Sequence, residues 1–226
     1  MRYSCEMAEP TLTSDGDVFL INYGDDENVT SHAWASCMGE LLDQVEAASG
    51  AKILVTTASG KHYSNGLDVA FMASADKDAV VAYLQRVMII LRRIMLLGAP
   101  TVAAVNRHAF GLGAFLAIAH DQSVMRADRG FVCFPEVHLN MSFPNSLMSV
   151  GKATLTPQTL RHAFGTGHRY SATEAAAAGI VTATAAVDRL VETAIAMGQP
   201  HAATAGANLA KIKRQLFPDV VTHLGT

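Results

Sequence analysis

Three short segments carry the residue types that could do chemistry in this chain. The first is Ser59-Gly60-Lys61-His62-Tyr63-Ser64-Asn65-Gly66-Leu67-Asp68, and the second is Asn106-Arg107-His108-Ala109-Phe110-Gly111-Leu112-Gly113-Ala114-Phe115. Each follows a β-rich run and opens a helical one. Glycine lets the backbone turn sharply there, and free amides at a helix start can receive negative charge. The third is Phe134-Pro135-Glu136-Val137, whose carboxylate could carry a proton. Taken alone, Glu136 reads as a surface glutamate after a strand, and the glycines read as ordinary turns. Gly111-x-Gly113 does not extend to GxGxxG, because Leu116 stands at the third position and no acidic residue is spaced for a ribose. A dinucleotide site is therefore not expected.

Those segments need elements to hold them. Thr11–Thr13 and Asp17–Tyr23 read as a hairpin around Ser14-Asp15-Gly16. Ser31 caps a helix through Ser49, with Trp34, Met38, Leu41, Leu42 and Val45 on one face. Lys52–Thr57 and Thr101–Val105 read as buried strands. Asp76–Leu97 reads as a long helix stopped by Gly98 and Pro100. Asp121–Arg126 and Phe131–Phe134 read as further strands. Thr156-Pro157 starts a helix, Ser171-Ala172-Thr173-Glu174 is a capping box, and Val187–Met197 and Ala202–Leu216 read as the last helices. Alternation of strand and helix followed by helices predicts an α/β core over 1–165 and a helical C-terminal region over 166–226. No internal repeat is visible, and the alanine-rich stretch 172–186 reads as a packed helix and turn.

Composition removes several classes. Half of the 226 residues are hydrophobic and 16% are charged, which suits a sizeable core. Seventeen basic and twenty acidic residues give 17 − 20 = −3, too balanced for a nucleic-acid or anionic-membrane binder. Cys5, Cys37 and Cys133 form no CxxC pair and the histidines form no HExxH, so neither a disulfide framework nor a metal site is expected. The apolar run Val80–Leu97 is broken by Gln85, Arg86, Arg92 and Arg93, so no membrane span is expected. The N-terminus lacks a secretory apolar stretch, Met7 would also serve as a chain start, and the C-terminal Thr-His-Leu-Gly-Thr is not an SKL-type address. Together with the cysteines, this predicts a cytoplasmic protein.

The three segments, in this order, resemble the crotonase (enoyl-CoA hydratase/isomerase) superfamily. SGKHYSNGLDV is similar to its SGKxFxxGxDL motif, AAVNRHAFGLGAFLAIAHD to AAVNGxxxGxGxxLAxxxD, and FPEV to its FPE segment. The resemblance implies a spiral of ββα units followed by trimerising helices, an acyl-CoA thioester substrate, a homotrimer or hexamer, and no cofactor beyond the CoA of the substrate. It implies that the backbone N–H groups of Leu67 and Leu112 form an oxyanion hole for an enolate, for which preorganised amides in a dry site are suited. It also sets substrate against His62, Ser64, Asn65, Gly66, Asp68, Gly111 and Phe115. Asp68 reads in addition as a helix cap, and Phe115 as acyl-pocket or core. Arg107 stands where the family usually has glycine, and would contact CoA phosphates or disturb the loop. Lys211 and Lys213 read as a solvated helix face, although in the family a C-terminal lysine can reach the nucleotide.

The carboxylates decide between reactions. Hydratases of the family carry two glutamates. The first of those positions is Phe115 here and the second is Glu136. Phe115 can neither position water nor handle a proton. The further aspartate of dienoyl-CoA isomerases and some acyl-CoA hydrolases falls on Pro144. One carboxylate suffices for a proton shuttle, so the resemblance is nearest the Δ3,Δ2-enoyl-CoA isomerases, with Glu136 as the base in an apolar setting of Phe134, Val137, Leu139, Met141 and Phe143. The alternatives are a hydratase using a carboxylate elsewhere and a non-catalytic acyl-CoA-binding relative.

Overall fold

The computed structural model describes residues 9–224, so Cys5, Met7 and the last two residues lie outside it. The chain opens with the hairpin β1 (Thr11–Asp15) and β2 (Val18–Asn22), followed by α1 (His32–Ala47), which Ser31 caps by accepting from the Trp34 N–H.

The chain then makes three similar passes. The first is β3 (Ile53–Thr57), β4 (His62–Ser64), α2 (Val69–Ser74) and α3 (Lys77–Leu96). The second is β5 (Thr101–Val105), β6 (His108–Phe110) and α4 (Leu112–Ile118). The third is β7 (Gln122–Arg126), β8 (Val132–Cys133), a 3₁₀ turn over Glu136–Leu139 and α5 (Asn145–Thr154). In every pass the first strand joins a long sheet and the second a short one. The long sheet has the order β1-β2-β3-β5-β7 and ends on a later strand, β9 (Ala183–Ala185); the short sheet is β4-β6-β8. The repeat is one of topology, carried by no recurring sequence. Its consequence is functional. The short sheet is wholly parallel, so its three strands end on one side, and the three chemical segments leave from those ends.

The remaining elements are α6 (Pro157–Thr166), α7 (Ala172–Ala177), β9 (Ala183–Ala185), α8 (Leu190–Gly198), α9 (Ala207–Leu216) and α10 (Pro218–His223). Stretch 172–186 thus ends in a strand rather than in helix and turn. Ala-Thr-Ala has no strand signal of its own; pairing with β7 imposes it. The long sheet is buried on both faces. Leu54 and Ala103 face the main core with α1, α3 and α4, while Ile53, Val55, Val102 and Ala104 pack with Leu190 and Ala194 of α8. Among the described residues no helix is long and apolar enough to cross a membrane.

Two buried polar groups tie this core together. Lys213 of α9 is neither a solvated residue nor free to reach a nucleotide. It is 3% exposed, and its Nζ donates to the Ala99 carbonyl at 3.0 Å and to Asp121 Oδ2 at 2.6 Å. His120 lies beneath the long sheet, its Nδ1 at 2.8 Å from the Leu116 carbonyl and its Nε2 at 2.9 Å from Thr56 Oγ1. Burial pushes its pKa down to about 4. The folded protein therefore binds this proton more weakly than the unfolded chain does, and stability present above pH 6.5 is lost as pH falls towards 4. We expect urea unfolding to report about 2 kcal/mol less stability from this group at pH 5 than at pH 7, and His120→Gln to remove that part of the slope. An unchanged slope in the variant refutes the assignment.

Candidate active site

The site forms where β4, β6 and β8 end. Gly66 has φ +88°, the left-handed region that glycine tolerates. A Cβ there would stand 2.7 Å from the Phe110 carbonyl oxygen and 3.1 Å from the Leu112 nitrogen. The first two segments therefore touch at Gly66, which sets the Leu67 and Leu112 backbones side by side. A Cβ on Gly113 would overlap the Ser64 carbonyl, so glycine at 113 is what allows α4 to lie against β4. Leu112 is the first residue of α4, and a first-turn amide has no carbonyl within its own helix to donate to.

Glu136 completes the trio. It opens the 3₁₀ turn, which Asn140 closes in the left-handed conformation as the Met141 N–H returns to the Glu136 carbonyl at 3.0 Å. Its side chain is 9% exposed, with Oε1 at 3.6 Å from where a Gly111 Cβ would lie. Oε2 is buried and accepts no hydrogen bond from the described residues. Burial raises the carboxyl pKa, partly offset by the residue's own backbone N–H. A buried carboxylate with an unused oxygen is a strained arrangement for structure alone and a suitable one for a base.

Glu136 faces a cleft of about 680 Å³. Leu67 lines it beside Glu136. Met72, Leu84, Met88 and Ile89 line one wall, and Met141, Phe143, Pro144 and Leu147 the other, with Leu224 beside them. Among the described residues Glu136 is the one acidic residue lining it; Gln85, Ser142, Ser146 and His223 are the other polar ones. The apolar setting of Glu136 thus comes mainly from α2, α3 and α5. Val137, Leu139 and Met141, expected to surround it, are 44%, 58% and 47% exposed.

The other expected residues divide. Ser64 is buried and braces the first loop: its hydroxyl donates to the Asn28 carbonyl at 2.7 Å and accepts from the Gly66 N–H at 3.2 Å. Asn65 pairs with Glu27 through backbone and side chain. Asp68 caps α2, accepting from the Phe71 N–H at 2.9 Å. Phe115 is fully buried among Phe134, Phe143 and Phe164, behind the cleft wall rather than on it. His62 packs beside His108, ring centroids 5.5 Å apart, away from the cleft. Burial holds both imidazoles below their ordinary pKa, helped for His108 by the charges of Arg107 and Lys61. Cys133 is a buried thiol that donates to the Gly167 carbonyl. Arg107 precedes β6, at the opposite end of that strand from Gly111, and its φ is not positive. No glycine is required there, and the loop at Gly111 forms beside it. Two residues outside all three segments, Thr30 and Tyr83, also touch the first loop, and no spacing in the sequence points to them.

Known proteins resemble this chain in sequence and fold. Enoyl-CoA delta isomerase 2, peroxisomal, of Arabidopsis thaliana is 31% identical, with 95% of each chain covered. Enoyl-CoA delta isomerase 3 of the same plant is 31% identical over 93% of this chain and 92% of that one. A crystal structure of a probable enoyl-CoA hydratase from Mycobacterium tuberculosis superposes with a TM-score of 0.85 at 21% identity, covering 95% of this chain and 92% of that one. The fold is accordingly crotonase-like, a spiral of ββα passes closed by C-terminal helices. With residues 21–224 matching the enoyl-CoA hydratase/isomerase family, and the three segments converging as that family's order implies, the chain is a member of it.

Proposed function

We propose that the protein moves the double bond of a 3-enoyl-CoA to the 2-trans position, using Glu136 as the only proton carrier. The observation that carries this reading is a buried carboxylate, the single one lining the cleft among the described residues, with one unpartnered oxygen and mainly apolar neighbours. Glu136 takes a proton from C2. The C2–H electron pair becomes the C1=C2 bond of a dienolate, and the carbonyl π pair moves onto the thioester oxygen as negative charge. The Leu67 and Leu112 N–H groups receive that charge, which grows only as the proton leaves, so they stabilise the transition state more than the substrate. The oxygen pair then restores the carbonyl, the C1=C2 pair becomes the C2=C3 bond, and the C3=C4 pair takes the proton back from Glu136 at C4. No other cofactor enters. The raised pKa suits both halves, since the acid formed must also give the proton up. Phe115 fills the position of the first hydratase glutamate with an aromatic ring behind the cleft wall. This favours isomerisation over hydration.

The test uses two substrates. With 3-hexenoyl-CoA we expect the 2-enoyl product, lost in Glu136→Gln. With 2-hexenoyl-CoA we expect no loss of enoyl absorbance; rapid hydration refutes the single-carboxylate reading. Turnover of neither, with tight binding of CoA esters, favours a binding role. We further propose a homotrimer or hexamer, which sedimentation velocity checks. Free Cys37 and Cys133 suit a reducing compartment such as the cytoplasm, and imaging of the tagged protein distinguishes this from the peroxisome named for two Arabidopsis relatives.

A further inference from the structure

We propose that Tyr83 and Thr30 are positioning residues that aim the Leu67 N–H at the substrate oxygen. Resting on the function proposed above, this explains how its more exposed donor is held. Leu67 belongs to a loop, whereas the peptide of Leu112 is fixed by α4, where the Gly111 carbonyl accepts from Ala114 N–H at 2.9 Å and Phe115 N–H at 3.3 Å. A loop peptide needs another anchor.

The anchor lies on both sides of Leu67. The Gly66 carbonyl shares a peptide plane with the Leu67 N–H and points opposite to it, because the peptide is trans. That carbonyl accepts from the Thr30 N–H at 2.8 Å and from the Thr30 hydroxyl at 3.2 Å. Holding it on Thr30 turns the Leu67 N–H the other way. On the far side, the Asp68 N–H donates to the Tyr83 hydroxyl at 2.8 Å. Thr30 Oγ1 and the Tyr83 hydroxyl lie 3.4 Å apart.

The donors leave one consistent direction. The Asp68 N–H can only donate, so the Tyr83 oxygen accepts. The Tyr83 proton goes to Thr30, and the Thr30 proton goes to the Gly66 carbonyl. A chain of hydrogen bonds thus leaves the residue after Leu67 and returns to the residue before it. Both side chains are fully buried, where polar bonds are stronger and a broken one is costly. Tyr83 stands on α3, with its ring against His32 and Phe71, so the long helix fixes the clamp's position.

The test compares Tyr83→Phe, Thr30→Val and Thr30→Ser. Valine keeps the Thr30 backbone donor and removes the hydroxyl. Deleting an oxyanion donor costs about 10²–10³ in kcat. Misaiming one is expected to cost about tenfold in kcat in the first two variants, with KM within about twofold. The double variant is no worse than the poorer single one, because both break one chain. Serine restores activity. The second readout is the infrared carbonyl band of bound, isotope-labelled butyryl-CoA, measured at saturation so that only folded protein is seen. The wild type lowers the band, and the first two variants lower it less. If both variants keep the wild-type band and kcat, or if serine behaves as valine, the clamp is overturned. If the wild type itself leaves the band unmoved, the oxyanion reading fails, a different outcome from failure of the clamp.

Discussion

Glu136→Gln is expected to lower kcat for 3-enoyl-CoA about a thousandfold, within the range that a general base contributes, and to leave binding of saturated acyl-CoA nearly unchanged. The amide has the same shape and cannot take a proton. Among the described residues no second carboxylate lines the cleft to substitute for it. The unfolding midpoint of the variant is expected to stay or rise, because burial of the carboxylate disfavours its charged form in the native protein. The same burial gives a pH signature. The base must be ionised to act, and its folded pKa lies above the ordinary glutamate value of 4.5. Activity in the wild type therefore rises with pH along a limb centred above 4.5, and kcat/KM reports that limb for the free enzyme. The residual activity of the glutamine variant lacks it. A variant that keeps a tenth of the wild-type rate refutes Glu136 as the base and turns attention to His223, the other titratable residue lining the cleft.

What was legible in the sequence was whatever a short stretch decides by itself. Gly66 and Gly113 could be read because a left-handed turn and a close backbone approach leave only one residue type. The caps at Ser31, Asp68 and Ser171 could be read because a cap is a contact with the next turn. β4 and β6 could not. Each has three residues within a stretch that reads as loop, and each exists because a parallel neighbour supplies its hydrogen bonds. Lys213 on α9 read as solvated because its partners, Ala99 and Asp121, stand far earlier in the chain. The exposure of Val137 and Leu139 and the hydrogen bonds of Thr30 and Tyr83 are likewise long-range facts. The proposed donors and base were read from the three segments; the elements that hold those segments came from the fold.

Gly113→Ala is expected to remove most activity, although it adds one methyl group to a helix that alanine favours. The methyl would overlap the Ser64 carbonyl oxygen and stand 2.8 Å from its carbon, both backbone atoms that no rotamer change can move aside. α4 and β4 must separate instead. Ser64 braces Gly66, and Gly66 lies against Leu112, so separation moves the two proposed oxyanion donors apart. A displacement of about 1 Å in a catalytic group can cost about a hundredfold in rate, and forced overpacking costs about 1–3 kcal/mol of stability. We expect a fall of that order in kcat together with a lower unfolding midpoint. Gly165→Ala is the matching control. Gly165 lies in α6 with nothing within 4 Å of its would-be Cβ, and its φ is not positive. There alanine is expected to raise stability by up to about 1 kcal/mol and leave kcat unchanged. If Gly113→Ala retains full kcat, α4 and β4 can part without disturbing the donors, and the Leu67 and Leu112 amides do not act as one rigid hole.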